Sequence, residues 1–224
     1  VHNESSTGVV GDLATAGRLV RDTDTLLVTD SVSGIAGMDF QMDAWGVDVV
    51  VTGSQKALMC PPGMGVIAAS EKAWSVIRRD SGMPRFYLDL RKARDSFDKG
   101  ESTFTPPVSL VQGLDAALDM IHEEGLPNVL ARHARLSRGF KAGAAALGLE
   151  NFAKAAAQSN TVACYYLPET IDGTKLIRRL YEKHRTVIAG ARNRLHLGHV
   201  ADGEQELADA GKALLPGTGL GIGG

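Results

Sequence analysis

The chain has 224 residues, 44% hydrophobic and 22% charged, with a formal net charge of −2. That allows one large domain or two small ones around a buried core. Lysine and arginine are spread along the chain with no run able to follow a phosphate backbone, which argues against nucleic-acid binding, and no apolar run approaches a bilayer span.

Taken in order, "VHNESSTGVV" (1–10) reads as a strand running into a polar loop. "GDLATAGRLVRDTD" (11–24) sets Leu13, Ala16, Leu19 and Val20 at helical spacing, with a turn at Asp24. "TLLVTD" (25–30), "VDVVVTGS" (47–54) and "GVIAAS" (65–70) are apolar on successive residues, as in strands covered on both faces of a parallel sheet. Alternation of such runs with helices predicts an α/β fold. "VSLVQGLDAALDMIHEEG" (108–125) carries a helical stripe that Gly125 can end, with Pro106 and Pro107 just ahead. A second helix is predicted over 126–148. "NTVACYYLP" (160–168), "RTVIAG" (185–190) and "RLHLGHV" (194–200) read as strands, and "TIDGTKLIRRLYEKH" (170–184) and "DGEQELADAGKALL" (202–215) as helices. This tail predicts a smaller α+β domain, so residues 1–122 form one unit with its linking helix and 123–224 a second.

The two cysteines, Cys60 and Cys164, are too few and too far apart for a disulfide framework. They read as small buried hydrophobes in a reducing compartment, hence the cytoplasm. No signal or transit peptide is visible. The chain opens at Val1 rather than Met and reads as a piece of a longer protein.

"VVVTGSQKALMCPPG" (49–63) sets a lone lysine, Lys56, between the end of a strand and a Pro-Pro-Gly turn. Asp30 closes the preceding predicted strand. In open α/β sheets ligands gather at the carboxyl ends of strands, so an acid and a lysine there can face one pocket. A desolvated lysine can form an imine with a carbonyl compound. Pyridoxal phosphate uses both partners: a lysine for the imine and an aspartate at its ring nitrogen. Spacing alone is equally met by a turn-forming aspartate and a solvated lysine.

Together with "HNESSTGVV", "VTDSVSGIAG", "GSQKAL…PPG", "FYLDL" and "STFTPPVSLVQGLDAAL", these stretches resemble the class V aminotransferases of pyridoxal-phosphate fold type I. The nearest likeness is to the alanine–glyoxylate and serine–glyoxylate branch. The resemblance implies part of the cofactor-binding large domain, a mostly parallel sheet with helices, followed by a smaller α+β domain. It implies that Lys56 carries the cofactor as a Schiff base and that Asp30 partners the pyridine nitrogen. Val32 then packs on the ring face, Ser5 lies near the ring hydroxyl, and Gln55 lies beside the phosphate. Thr105 reaches the phosphate held by the other subunit, which implies a homodimer. Gln55 precedes the lysine where cysteine desulfurases place histidine, favouring transamination over sulfur removal.

The family's phosphate loop and stacking aromatic would lie in an N-terminal portion outside this chain, leaving the piece alone a poor binder of the cofactor. Ser102 stands where the family has an aromatic hydroxyl. His196 stands where the family binds the substrate carboxylate with arginine, and an imidazole offers no bidentate fork. Arg194, two residues earlier and on the same face of a strand, can take that role.

"GLGIGG" (219–224) has no following helix to hold a pyrophosphate. His196 and His199 lack a third ligand for a metal, and no metal is expected. "RHARLSRGFK" (132–141) reads as a solvated basic face. The expected function is transfer of an amino group from a small amino acid, alanine or serine, to a 2-oxo acid such as glyoxylate or pyruvate. The alternatives are pyridoxamine–pyruvate transamination or a lyase reaction on the same fold, or a catalytically inactive truncated relic.

Overall fold

Short capped helices and a small sheet make up the first part of the protein, and a long helical hairpin follows. The computed structural model describes residues 1–79 and 82–190. Val1–Gly190 form one compact unit. The strand expected at 194–200 and the helix at 202–215 lie outside the described residues, as do Arg194, His196, His199 and the terminal glycine-rich stretch.

Helix α1 (Leu13–Val20) starts where the Asp12 carboxylate accepts the Thr15 N–H at 2.9 Å. Its buried positions are Leu13 and Gly17. Gly17 lies against the backbone carbonyl of Trp45, which ends α2 (Met42–Trp45). Gly46, at φ 68°, then turns the chain into a strand.

Strands β1 (Val28–Asp30) and β2 (Val49–Gly53) are parallel, with Val28 opposite Val49 and Asp30 opposite Val51. Strand β3 (Gly65–Ala69) joins β2 antiparallel, completing a three-stranded sheet in the order β1-β2-β3. The apolar run at 65–70 therefore does not form the doubly covered strand expected. The connection 54–64 is too short for a parallel crossover, so the chain reverses and β3 becomes an edge. Val66 and Ile67 are exposed there.

The end of the sheet away from the carboxyl termini of β1 and β2 is tied by Asp48, which is buried. Its Oδ2 accepts the Leu27 N–H at 2.9 Å and its Oδ1 accepts the Ser70 hydroxyl at 2.8 Å. Ser70 also caps α3 (Glu71–Ile77). Helix α4 (Leu90–Phe97) starts at Asp89, whose carboxyl is held down to about 2 by hydrogen bonding from Arg91 and Arg85.

Helices α5 (Val108–Glu124) and α6 (Leu126–Ala146) meet at Gly125 alone, at φ 82°. The domain boundary expected near residue 122 falls in the last turn of α5. The core packs Leu58, Ile121 and Val129 together, with Ala36 and Leu114 against them.

After α6 the strands expected at 160–168 and 185–190 are not formed. The first contributes one bridge, Tyr165 with Asn151, and the second none. A strand exists only where a neighbour takes its backbone groups, and β-rich composition does not supply that neighbour. The predicted helix appears as α7 (Gly173–His184), capped by Asp172. The opening segment likewise makes bridges only, Asn3 with Val10 and Val9 with Gln158. Among the described residues no helix is long and apolar enough to cross a membrane.

His2 locks that opening segment to β1. Its backbone N–H donates to the Asp30 carbonyl at 2.8 Å, and its Nδ1 lies 2.7 Å from Ser31 Oγ. The ring sits against Phe40 and Trp45, at centroid distances of 5.3 and 6.1 Å. Burial holds the imidazole below its ordinary pKa, against the opposing pull of Asp39.

Two outcomes follow. Gly17→Ala places a methyl on the Trp45 carbonyl and is expected to cost about 1–3 kcal/mol in chemical denaturation. Folding lowers the His2 pKa, so its share of stability is complete above the unfolded pKa of 6.5 and is lost as pH falls from there through the lower folded value. Denaturation at pH 7.5 and 5.5 should show that loss, and His2→Gln should shrink it.

Candidate active site

Because β1 and β2 run parallel, their carboxyl ends lie side by side. Asp30 is the last residue of β1, and Lys56 follows β2 in the loop 54–64. Asp30 also acts locally: its Oδ1 accepts the Val32 N–H at 2.9 Å, an Asx turn that sends the chain away from the sheet.

Ser54 clamps the lysine loop. It is fully buried, its hydroxyl donates to the Pro61 carbonyl at 2.7 Å, and its own carbonyl accepts the Cys60 N–H at 3.0 Å. Within the clamp the Lys56 carbonyl accepts the Met59 N–H at 2.9 Å, and Met59 takes the left-handed conformation at φ 58°. Such backbone needs surroundings that over-determine it. The Lys56 side chain is exposed and makes no ion pair among the described residues.

Lys56 opens onto a cavity of about 570 Å³. Ser5 and Ser33 line it, their hydroxyls hydrogen-bonded to each other. Met59, Ile121 and Val129 supply apolar wall, and Glu124, Arg132 and His133 bring charge and an imidazole from the helical hairpin. Of the residues singled out from sequence, Lys56 and Ser5 meet here. Asp30 and Val32 stand at the neighbouring strand end without lining the cavity. The Gln55 carboxamide folds back on the backbone, its Oε1 2.7 Å from where a Cβ on Gly53 would lie. Thr105 is exposed in the segment before α5 and does not line this cavity. Arg194 and His196 lie outside the described residues.

The stretch 132–141, read as a solvated face, is only partly so. Arg132 grips Glu124 across Gly125, Nε to Oε1 at 2.7 Å and Nη2 to Oε2 at 2.9 Å. The hydrogen bond from Arg132 lowers the Glu124 pKa, and the same bond raises that of Arg132. His133 is held below its ordinary pKa by burial and by the Arg132 charge. Lys141 turns inward, its Nζ donating to the Ser159 carbonyl at 2.7 Å. Charge spacing alone carries no signal for this, because the tight reversal at Gly125 brings Glu124 and Arg132 together. Ser33 and Thr161 were also missed, as isolated hydroxyls without a motif of their own.

The architecture is that of the pyridoxal-phosphate fold type I. The chain belongs to the class-V aminotransferase family, whose profile matches residues 1–197. It is 37% identical over 241 residues to a serine–glyoxylate aminotransferase of Arabidopsis thaliana, covering 98% of this chain and 60% of that protein. It is 40% identical over 214 residues to an uncharacterized aminotransferase of Methanocaldococcus jannaschii, covering 92% of this chain and 56% of that one. The crystal structure of alanine–glyoxylate aminotransferase from Nostoc sp. superposes with a TM-score of 0.81 at 31% identity, over 87% of this chain and 52% of that one. The chain thus spans little more than half the length of these relatives.

Class-V aminotransferases depend on pyridoxal phosphate, and the residues present fit that group. A primary amine stands beside hydroxyl donors in a cavity of the size that holds small molecules, roughly 300–1,000 Å³. A carboxylate closes the neighbouring strand.

The clamp is testable. Ser54→Ala removes the donor to the Pro61 carbonyl and the acceptor of the Met64 N–H, and is expected to cost ~0.5–1.5 kcal/mol. Hydrogen exchange should quicken within residues 55–63 while α6 stays protected.

Proposed function

We propose that the whole protein is a pyridoxal-phosphate-dependent transaminase, moving an amino group from alanine or serine to a 2-oxo acid such as glyoxylate or pyruvate. The observation that carries this reading is Lys56, set by the clamped loop on a cavity at the carboxyl edge of a parallel strand pair. The printed names of the relatives, serine–glyoxylate and alanine–glyoxylate aminotransferases, support the substrate class.

In this reading Lys56 holds the cofactor covalently and Asp30 meets its ring nitrogen. Val32 covers a ring face, Ser5 meets the ring hydroxyl and Gln55 sits beside the phosphate. When bound, the cofactor supplies an electron sink for the substrate α-carbon. Once the substrate amine has taken the place of Lys56 in that covalent bond, the freed Lys56 Nζ would take the α-proton and return it, as a general base and then a general acid. Arg194 receives the substrate carboxylate, with His196 beside it. Residues 1–122 serve as part of the cofactor-binding domain and 123–224 as the smaller one.

A homodimer completes the reading, with Thr105 reaching the partner's phosphate. The surface around Thr105 supports it. Phe86 and Tyr87 are largely exposed, and their ring centroids lie 6.0 and 4.6 Å from that of Phe104, the neighbour of Thr105 in the chain. Exposed aromatics gathered in this way are typical of the centre of a protein interface. The thiols of Cys60 and Cys164 are free, which supports a cytoplasmic setting.

In the whole protein, Lys56→Ala is expected to abolish the visible absorbance band formed with pyridoxal phosphate and to slow transamination by roughly 10²–10⁴-fold. Transamination retained in that variant counts against the mechanism. The donor is assigned by comparing alanine, serine and pyridoxamine. Pyridoxamine is included because the pyridoxamine–pyruvate aminotransferase of Mesorhizobium loti superposes equally well, with a TM-score of 0.81.

A further inference from the structure

The segment 159–162 has strand-like composition, yet its bonding runs through side chains. The Thr161 hydroxyl accepts an N–H from the Asn3 carboxamide at 2.9 Å and donates to the Ser33 carbonyl at 2.9 Å. The other Asn3 N–H donates to the same carbonyl at 2.8 Å. A carbonyl has two acceptor sites and a carboxamide nitrogen two hydrogens, so this triangle uses every one of them. Asn3 is 3% exposed and Ser33 8%, so the bond between them is shut off from water, while the two bonds of the half-buried Thr161 hydroxyl lie at the cavity wall.

The triangle is held from behind. Ser159 Oγ accepts the N–H groups of Thr161 and Val162 at 3.0 and 3.1 Å, turning the backbone so that the Thr161 hydroxyl faces Asn3 and Ser33. Gly37 leaves space for the Thr161 methyl, which a Cβ there would crowd. One hydroxyl thus joins three segments distant in sequence: the opening turn, the loop after Asp30 and the segment after α6. The first two carry Ser5 and Ser33, whose hydroxyls are bonded to each other, and Ser5, Ser33 and Thr161 all line the Lys56 cavity.

We infer that Thr161 is a positioning residue, whose hydroxyl sets where the Ser5–Ser33 pair stands relative to Lys56. Its role toward the cofactor rests on the function proposed above. Its role in holding the loop after Asp30 does not.

The test compares Thr161→Val, which keeps the shape and removes the hydroxyl, with Thr161→Ser, which keeps the hydroxyl. Thr161→Ala replaces the valine variant if that one does not fold. In the whole protein without cofactor, the valine variant should speed hydrogen exchange in residues 1–10 and 31–38 and leave α5 and α6 unchanged. Its dissociation constant for pyridoxal phosphate, read by absorbance titration, should rise about tenfold, the usual effect of unmaking a buried hydrogen bond. The serine variant should restore both. Wild-type exchange in 31–38 overturns the inference, and so does faster exchange spread evenly through α1, α5, α6 and α7, which marks a general loss of stability. Altered exchange with unchanged cofactor affinity overturns the positioning role alone. If Lys56→Ala keeps its absorbance band, the functional reading fails while the exchange result still decides the node.

Discussion

Parallel pairing of β1 with β2 is the constraint from which the rest of the site follows. Parallel strands present their carboxyl ends on the same side, so whatever follows each strand starts from one edge. Asp30 and the loop of Lys56 come from segments separated by α2, and they become neighbours because Asp30 pairs with Val51. Had the pairing been antiparallel, the two would have emerged at opposite ends of the sheet. The far end of the same strands is tied by the buried Asp48 carboxylate, which spans β1, β2 and α3 through Leu27 and Ser70.

Beyond the strand ends, side-chain hydrogen bonds take over from the ladder. Ser54 closes the lysine loop, His2 joins the opening segment to β1, and Thr161 ties that segment to the chain after α6. His2 and Ser54 are buried and Thr161 half-buried, and each has hydrogen-bond partners supplied, so the cost of burial is offset while the geometry is directional. Apolar contacts alone would leave these loops free to slide. Lys56 is exposed, and it shares its cavity with the hydrogen-bonded hydroxyls of Ser5 and Ser33.

The helical hairpin gives the cavity its remaining wall. Gly125 permits a reversal so tight that Glu124 and Arg132 form a bidentate pair across it. The pair neutralises most of its own charge and leaves Lys56 without a competing carboxylate on that side. His133 beside it is held below its ordinary pKa by burial and by the Arg132 charge.

Much of this was legible in the chain itself. Helical patterning located α1, α5, α6 and α7, with Pro106, Pro107 and Gly125 marking the ends of α5, because a helix satisfies its backbone locally and needs only an apolar stripe and suitable ends. The three strands were found by their apolar runs, and the Ser-Gln-Lys stretch pointed to a lysine at a strand end. The direction of β3 follows from the shortness of the 54–64 connection, since the apolar run in the strand is the same for either direction. Tertiary structure alone decided that 160–168 and 185–190 are not strands, because a strand needs a neighbour that local sequence cannot name. Likewise, Arg132, His133, Ser33 and Thr161 belong to the cavity only through contacts between segments far apart in the chain, and such contacts leave no periodic trace in any one of them.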